Sequence, residues 1–351
     1  MNASSKPVIA SGPQAKQSSR IKRFLQNLSL ALGTFLFCLL ACEIVLRVLG
    51  YGNLEIYQPD RALYWRLKPN QDCYTKIGRK PVHINSQGTR GAEFSPDKPM
   101  GTLRILSLGD SRTFGWGLSE SQTYTVRLQQ LLQQQPGHPR SIETINAGVN
   151  AWSYPQMLVY FRDRALAYRP DFVLIGEANL WTQFSEKNSP EFVSRFMTRV
   201  RLKNLLRHFA LYHYVVEVKL QNFYGRYRTK FIPVDPHQDT LFKEQQQKDP
   251  DALFRNAIEG ICRVAQTNHV QPIVLYIPML TELETTNVNS VLKVKRDLSQ
   301  LFGVPLVDLT PDLQPLGKEL YLEADPVHLN SRGNEIVARR LFEVISPLTA
   351  R

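Results

Sequence analysis

Cysteine is scarce in this sequence. Four residues (Cys38, Cys42, Cys73 and Cys262) in 351 are too few for a disulfide scaffold, and no C-x-x-C pair suggests zinc. No internal repeat is visible, so a solenoid or propeller is not expected. Charged residues at 21% against 43% hydrophobic ones exclude a wholly disordered or fibrous chain. A nucleic-acid-binding module is also missing, although the formal net charge is +12. Residues 1–23 carry Lys6, Lys16, Arg20, Lys22 and Arg23 with no acid, giving +5. Residues 191–230 carry nine Lys/Arg against Glu191 and Glu217, giving +7. Those two segments hold the whole excess and the remainder is neutral, so no nucleic-acid partner is expected.

What is present is, first, an apolar segment. A basic, Ser-rich start runs into Phe24–Cys42, nineteen residues without a charge. At 1.5 Å rise per residue this is about 28 Å, enough with its flanks to cross a hydrocarbon core of about 30 Å. Glu43 and Arg47 follow, four apart on one helix face. The adjacent positive charge lies on the N-terminal side, which predicts a cytoplasmic N-terminus and an exported remainder. The expected address is the cell inner membrane, single-pass. A cleaved signal peptide is one alternative, and a lipoprotein, from Leu39-Leu40-Ala41-Cys42, is another. Export would let Cys73 and Cys262 oxidise to each other, but two unpaired buried thiols fit the sequence equally well.

The predicted organisation is a cytoplasmic basic tail over 1–23, a transmembrane helix over 24–50, a turn-rich connector over 51–100 packed on the main domain, and an α/β domain over 101–350. Within that domain Leu103–Leu108, Ile142–Asn146, Phe172–Ile175, Pro272–Ile277 and Val304–Val307 read as buried strands. Helices are expected from the turn after Leu108 to about Gln134, over Tyr154–Tyr168, over Asp251–Asn268, and over Ser331–Ile345 with Ser331 as N-cap. Alternation of this kind predicts a parallel sheet of about five strands, with ligands at the carboxyl ends of the strands.

Polar motifs fall where that site would be. Gly109-Asp110-Ser111 follows the first strand, and a serine at a strand-to-helix turn exposes its hydroxyl at the sheet edge. As a tripeptide it equally suits a helix cap. Asp325-Pro326-Val327-His328 stands before the last helix, where an imidazole can accept the serine proton and a carboxylate can fix its tautomer. His83, His138, His208, His213, His237 and His269 lack such a setting and read as packing or surface residues. Asn146-Ala147-Gly148-Val149-Asn150 and Gly176-Glu177-Ala178-Asn179 each follow a strand. A glycine amide at 148 and a side-chain amide at 179 would add donors for a tetrahedral oxyanion. Taken singly, each is an ordinary turn residue.

In combination these blocks, with the lead-in Ile84-Asn85-Ser86-Gln87-Gly88-Thr89-Arg90-Gly91, resemble the SGNH/GDSL hydrolases in their membrane-anchored bacterial form, over about residues 80–348. The resemblance implies a three-layer flavodoxin-like sandwich. It also implies a nucleophile at Ser111, a base at His328 supported by Asp325, and an oxyanion hole from the Ser111 and Gly148 amides and the Asn179 side chain. No metal or organic cofactor is implied. The third block departs from the family's Gly-x-Asn-Asp, reading Gly176-Glu177-Ala178-Asn179-Leu180, and Glu177 is a second polar candidate there.

The expected activity is cleavage of a carboxylic (acyl or acetyl) ester on an envelope glycan or lipid through an acyl-enzyme. An O-acyltransferase acting on polysaccharide with the same residues, or an inactive envelope protein keeping the fold, would leave a similar sequence. Residues 190–250 interrupt the α/β rhythm as a helical cap insertion. Phe192, Phe196, Val200, Leu205, Phe209, Tyr212 and Val216 recur at helical spacing between basic residues. One reading packs that stripe on the core. The other makes the insertion a lid that touches anionic lipid headgroups or an acidic glycan.

Overall fold

The computed structural model describes residues 13–54, 57–75, 79–135, 141–180, 184, 188–220, 252–284, 289–323 and 325–349. The start of the basic tail and residues 221–250 of the insertion lie outside that set. Helix α1 (Pro13–Val48) carries the apolar run, and its stretch Arg20–Val48 has the length and composition to cross a membrane. Four short strands follow: β1 (Tyr57–Asp60) with β2 (Tyr64–Leu67), and β3 (Gln71–Tyr74) with β4 (Pro81–Ile84), each pair antiparallel.

Five further strands make the main sheet: β5 (Thr102–Gly109), β6 (Ser141–Gly148), β7 (Phe172–Ile175), β8 (Gln271–Tyr276) and β9 (Leu306–Asp308). All are parallel, in the order β6-β5-β7-β8-β9. The helices are α2 (Ser111–Phe114), α3 (Tyr124–Gln133), α4 (Tyr154–Asp163), α5 (Pro190–Arg207), α6 (Ala210–Tyr212), α7 (Ala252–Thr267), α8 (Leu280–Leu283), α9 (Ser290–Phe302), α10 (Thr310–Leu313) and α11 (Ser331–Thr349).

The eight residues of β5 are all buried. Leu103 and Ile105 point into a core shared with α3 and α11, and Leu106 and Leu108 into one shared with α4, α7 and α9. A strand covered on both faces has no need of polar alternation, which is why it reads as one apolar run. The winding reverses direction between β5 and β7, and in such sheets that reversal opens a crevice at the strand carboxyl ends.

Several expectations are corrected. The helix expected through Gln134 is broken: Gly115, at φ 85°, ends α2 after one turn, and α3 starts only at Tyr124. The cap of α11 is Asn330, whose side chain accepts from Gly333 N at 3.1 Å, and not Ser331. Helix α9 was not anticipated. Along α5, Phe192 and Phe196 pack on Tyr64, but Leu205, Phe209 and Val216 of the expected inward stripe are exposed. Cys73 and Cys262 are both buried and not joined to each other, and burial pushes the Cys262 thiol up to about 12.

Candidate active site

The site begins where β5 stops. Asp110 caps α2, its Oδ1 accepting from Arg112 N at 2.8 Å, and the Arg112 guanidinium returns to the same carboxylate (Nη2 to Oδ2, 2.9 Å). Burial alone would disfavour the Arg112 charge, but Asp110 and Glu177 outweigh it and raise the pKa. One turn later, Arg90 from the lead-in segment takes up the α2 end. Its guanidinium donates to the carbonyls of Phe114 and Gly115, both at 2.8 Å, and of Leu118 at 2.6 Å. A buried cation satisfied by three carbonyls fixes the turn that presents Ser111.

The second element is the segment between α10 and α11. Asp325 Oδ1 accepts from the Val327 and His328 amides at 2.9 and 3.2 Å, and its Oδ2 lies 2.7 Å from His328 Nδ1. The far ring nitrogen, Nε2, is 2.7 Å from Ser111 Oγ. Residues 217 positions apart thus form a continuous Ser–His–Asp chain at hydrogen-bonding distance. Burial opposes ionisation of Asp325, but the bonds from His328 and the Val327 amide prevail and hold the carboxyl below its ordinary value. The Trp116 ring lies 6.1 Å from the His328 ring and walls that side.

The residues expected as oxyanion donors differ in their surroundings. Gly148 is in β6 and its amide donates to Asn146 Oδ1 at 3.0 Å, so that N–H is already committed. Gly148 is required for space: a Cβ there would stand 2.2 Å from Phe114 N, because α2 lies directly against the strand end. The amides of Ser111 and Ala151 are among those at this end that lack an acceptor in the described residues. Ala151 adopts φ 63°, a left-handed conformation uncommon for a residue with a Cβ. Asn179 joins the same group: its amide donates to Trp152 O at 2.7 Å, tying the loop after β7 to the loop after β6.

Glu177 turns away from the crevice. Its carboxylate accepts from Lys295 Nζ at 2.7 Å, from Ile277 N at 2.9 Å and from Tyr154 OH at 3.2 Å, while its own carbonyl accepts from Asp110 N at 2.8 Å. Lys295 is fully buried and also donates to Leu275 O. Burial depresses its pKa, and Glu177 only partly offsets that. Lys295, Arg112 and Arg90 were not singled out from sequence. A signal existed for Lys295: it sits in the apolar stripe Val291, Val294, Leu298 of an otherwise amphipathic segment. Of the other histidines, His83 pairs with Asp72 at the surface and His213 is buried with Nδ1 accepting from Gly52 N.

The sequence matches the family model for GDSL-like lipase/acylhydrolase over residues 107–336, most of the chain. The chain belongs to the GDSL-like lipase/acylhydrolase family. As a member it is an ester hydrolase, built on the layered α/β sandwich described above. No curated protein matches the sequence. Among solved structures it is similar to TesA (13% identity, 70% of this chain and 99% of that one, TM-score 0.44). The acetyl xylan esterase AlAXEase is similar at 17% identity, over 69% and 100% of the two chains, with TM-score 0.42. The psychrotrophic esterase EstA from Pseudoalteromonas sp. is similar at 13%, over 71% and 99%, with TM-score 0.40.

Proposed function

We propose that this GDSL hydrolase cleaves a carboxylic ester through an acyl-enzyme formed on Ser111. His328 Nε2 takes the Ser111 proton as Oγ bonds to the ester carbonyl carbon, and Asp325 stabilises the imidazolium. Collapse of the tetrahedral species breaks the ester C–O bond, and His328 returns the proton to the departing alkoxide. Water then repeats the sequence, releasing the acid and restoring the serine. The negative oxygen is held by the Ser111 and Ala151 amides and the Asn179 side chain, with Ala151 replacing Gly148 because the Gly148 amide is spent on Asn146. The single observation carrying this reading is the pair of 2.7 Å contacts His328 makes, one to Ser111 and one to Asp325.

We also propose that α1 is an uncleaved anchor that leaves the N-terminus cytoplasmic and the hydrolase domain exported. Such an address favours an acylated envelope glycan or a lipid-like ester as substrate. A fluorophosphonate probe on the full chain tests the nucleophile. Labelling is expected in the wild type and absent in Ser111→Ala; labelling that persists in the mutant, or never occurs, overturns the assignment. Partition of product from an activated acetyl ester, with and without a glycan acceptor, separates hydrolysis from O-acyl transfer.

A further inference from the structure

The last turns of α1 do not simply lead into a tether. The Glu43 carboxylate accepts from the amides of Ala210 and Leu211, both at 2.9 Å, and the Arg47 guanidinium donates to His208 O at 2.6 Å. Leu46, on the same turn of α1, is buried, and Gly52 N donates to the buried His213 at 2.9 Å. Tyr51 adds edge-on contacts with His213 and Tyr214. The start of α6 is therefore fixed at the height of Glu43, directly where the uncharged run of α1 ends. Beyond that height Val45, Val48 and Leu49 are still exposed, reaching about 9 Å further along the helix axis.

At the same level the cap insertion turns apolar residues outward. Leu202, Leu205 and Leu206 are spaced three and four residues from the first, one face of α5, and Phe209 follows in extended backbone before α6; all four are exposed, Leu202 and Leu205 at 58% each. Val215 and Val216 are exposed just past α6. Toward the start of α5 that face changes character: Arg195 and Arg199 occupy its continuation, with Arg201 exposed beside it. Contiguous apolar surface rimmed by cations, joined to the end of a spanning helix, has no counterpart within the chain to cover it among the described residues.

We propose that the exposed face of α5 and α6 lies on an anionic phospholipid bilayer, in the leaflet from which α1 emerges. Leu202, Leu205, Leu206 and Phe209 sit at the boundary of headgroups and acyl chains, and Arg195, Arg199 and Arg201 sit on the phosphates. This rests on the anchor reading of α1 given above. Because Tyr57 and Trp65 connect α5 to the loop after β6, the seating also sets the orientation of the active-site crevice toward the membrane.

The test uses the full chain reconstituted in vesicles of phosphatidylcholine alone or with phosphatidylglycerol, carrying lipids brominated near the headgroup. Leu205→Trp and Phe209→Trp are compared with Met100→Trp, which lies before β5, a strand length of about 26 Å from the crevice end of the sheet. The expected result is loss of the added emission at 205 and 209 but not at 100. That loss should deepen with phosphatidylglycerol, and Arg195→Gln with Arg199→Gln and Arg201→Gln should abolish the deepening. Esterase activity in detergent should be unchanged in all of these variants. No added quenching while the protein resists carbonate extraction overturns the bilayer seating alone. Extraction by carbonate overturns the anchor, and the seating with it. Shielding of both tryptophans that persists in detergent and grows with protein concentration assigns the face to a second copy and overturns the proposal.

Discussion

His328 spends both ring nitrogens inside the site, so each partner's removal has a separate signature. Asp325→Asn keeps the turn but withdraws the charge that supports the imidazolium, and kcat should fall by about 10³–10⁴. The Asp325 carboxyl is depressed, so its stabilising contribution is present above the unfolded value of about 3.9 and is lost only as pH falls through the lower folded value. A decline in activity between about pH 7 and 5 therefore does not arise from Asp325. A step above pH 5 in the wild-type profile of kcat/KM that follows protonation of the Asp325 carboxyl would contradict this. Glu177 and Lys295 present the opposite case, a buried pair beneath the crevice with no access to substrate. Removing one partner leaves an uncompensated charge, and Glu177→Gln should cost about 3–5 kcal/mol. Glu177→Gln combined with Lys295→Met should cost less than Glu177→Gln alone, read by thermal inactivation in detergent. A double mutant worse than the single would contradict the pairing argument.

Helix α2 meets β6 backbone to backbone. Helix α2 lies so close to β6 that only a residue without Cβ fits at 148. Gly148→Ala retains the amide, so an oxyanion role alone would leave activity intact. The expected outcome is instead a lowered melting temperature with a loss of activity in proportion, because the added methyl meets Phe114 N at 2.2 Å. Full activity and unchanged melting would show that α2 yields freely. Arg90 acts on the same element from the opposite end, and Arg90→Met would leave three carbonyls without their donor. A loss of at least about 2 kcal/mol is expected, checked by the same melting measurement.

For the molecule as a whole, the proposed anchor makes a prediction about which compartment the crevice faces. Protease added to sealed spheroplasts should digest the domain beyond about residue 50 and leave the N-terminal tail protected; protection of the domain would reverse the proposed orientation. Docking of α6 on Glu43 makes the end of α1 part of the folded domain's contact surface.

Local sequence determined much of this protein. The apolar run of α1, the buried strands, and the Ser111, Asp325 and His328 positions are legible because each depends on neighbours a few residues away, through periodicity, turn chemistry or a short motif. Tertiary structure decided the rest. Gly148 ends β6 and Ala151 stands in the loop after it; the approach of α2 commits the first to packing, and the Asn146 side chain takes its amide. Glu177 and Asn179 follow one strand, and the arrival of Lys295 from α9 turns the first inward. Leu205 faces outward because it lies on the side of α5 opposite Phe192 and Phe196, which pack on Tyr64, and Phe209 is exposed beyond the end of that helix. Spacing shows that such residues share a face; which face finds a partner depends on segments far away in the chain.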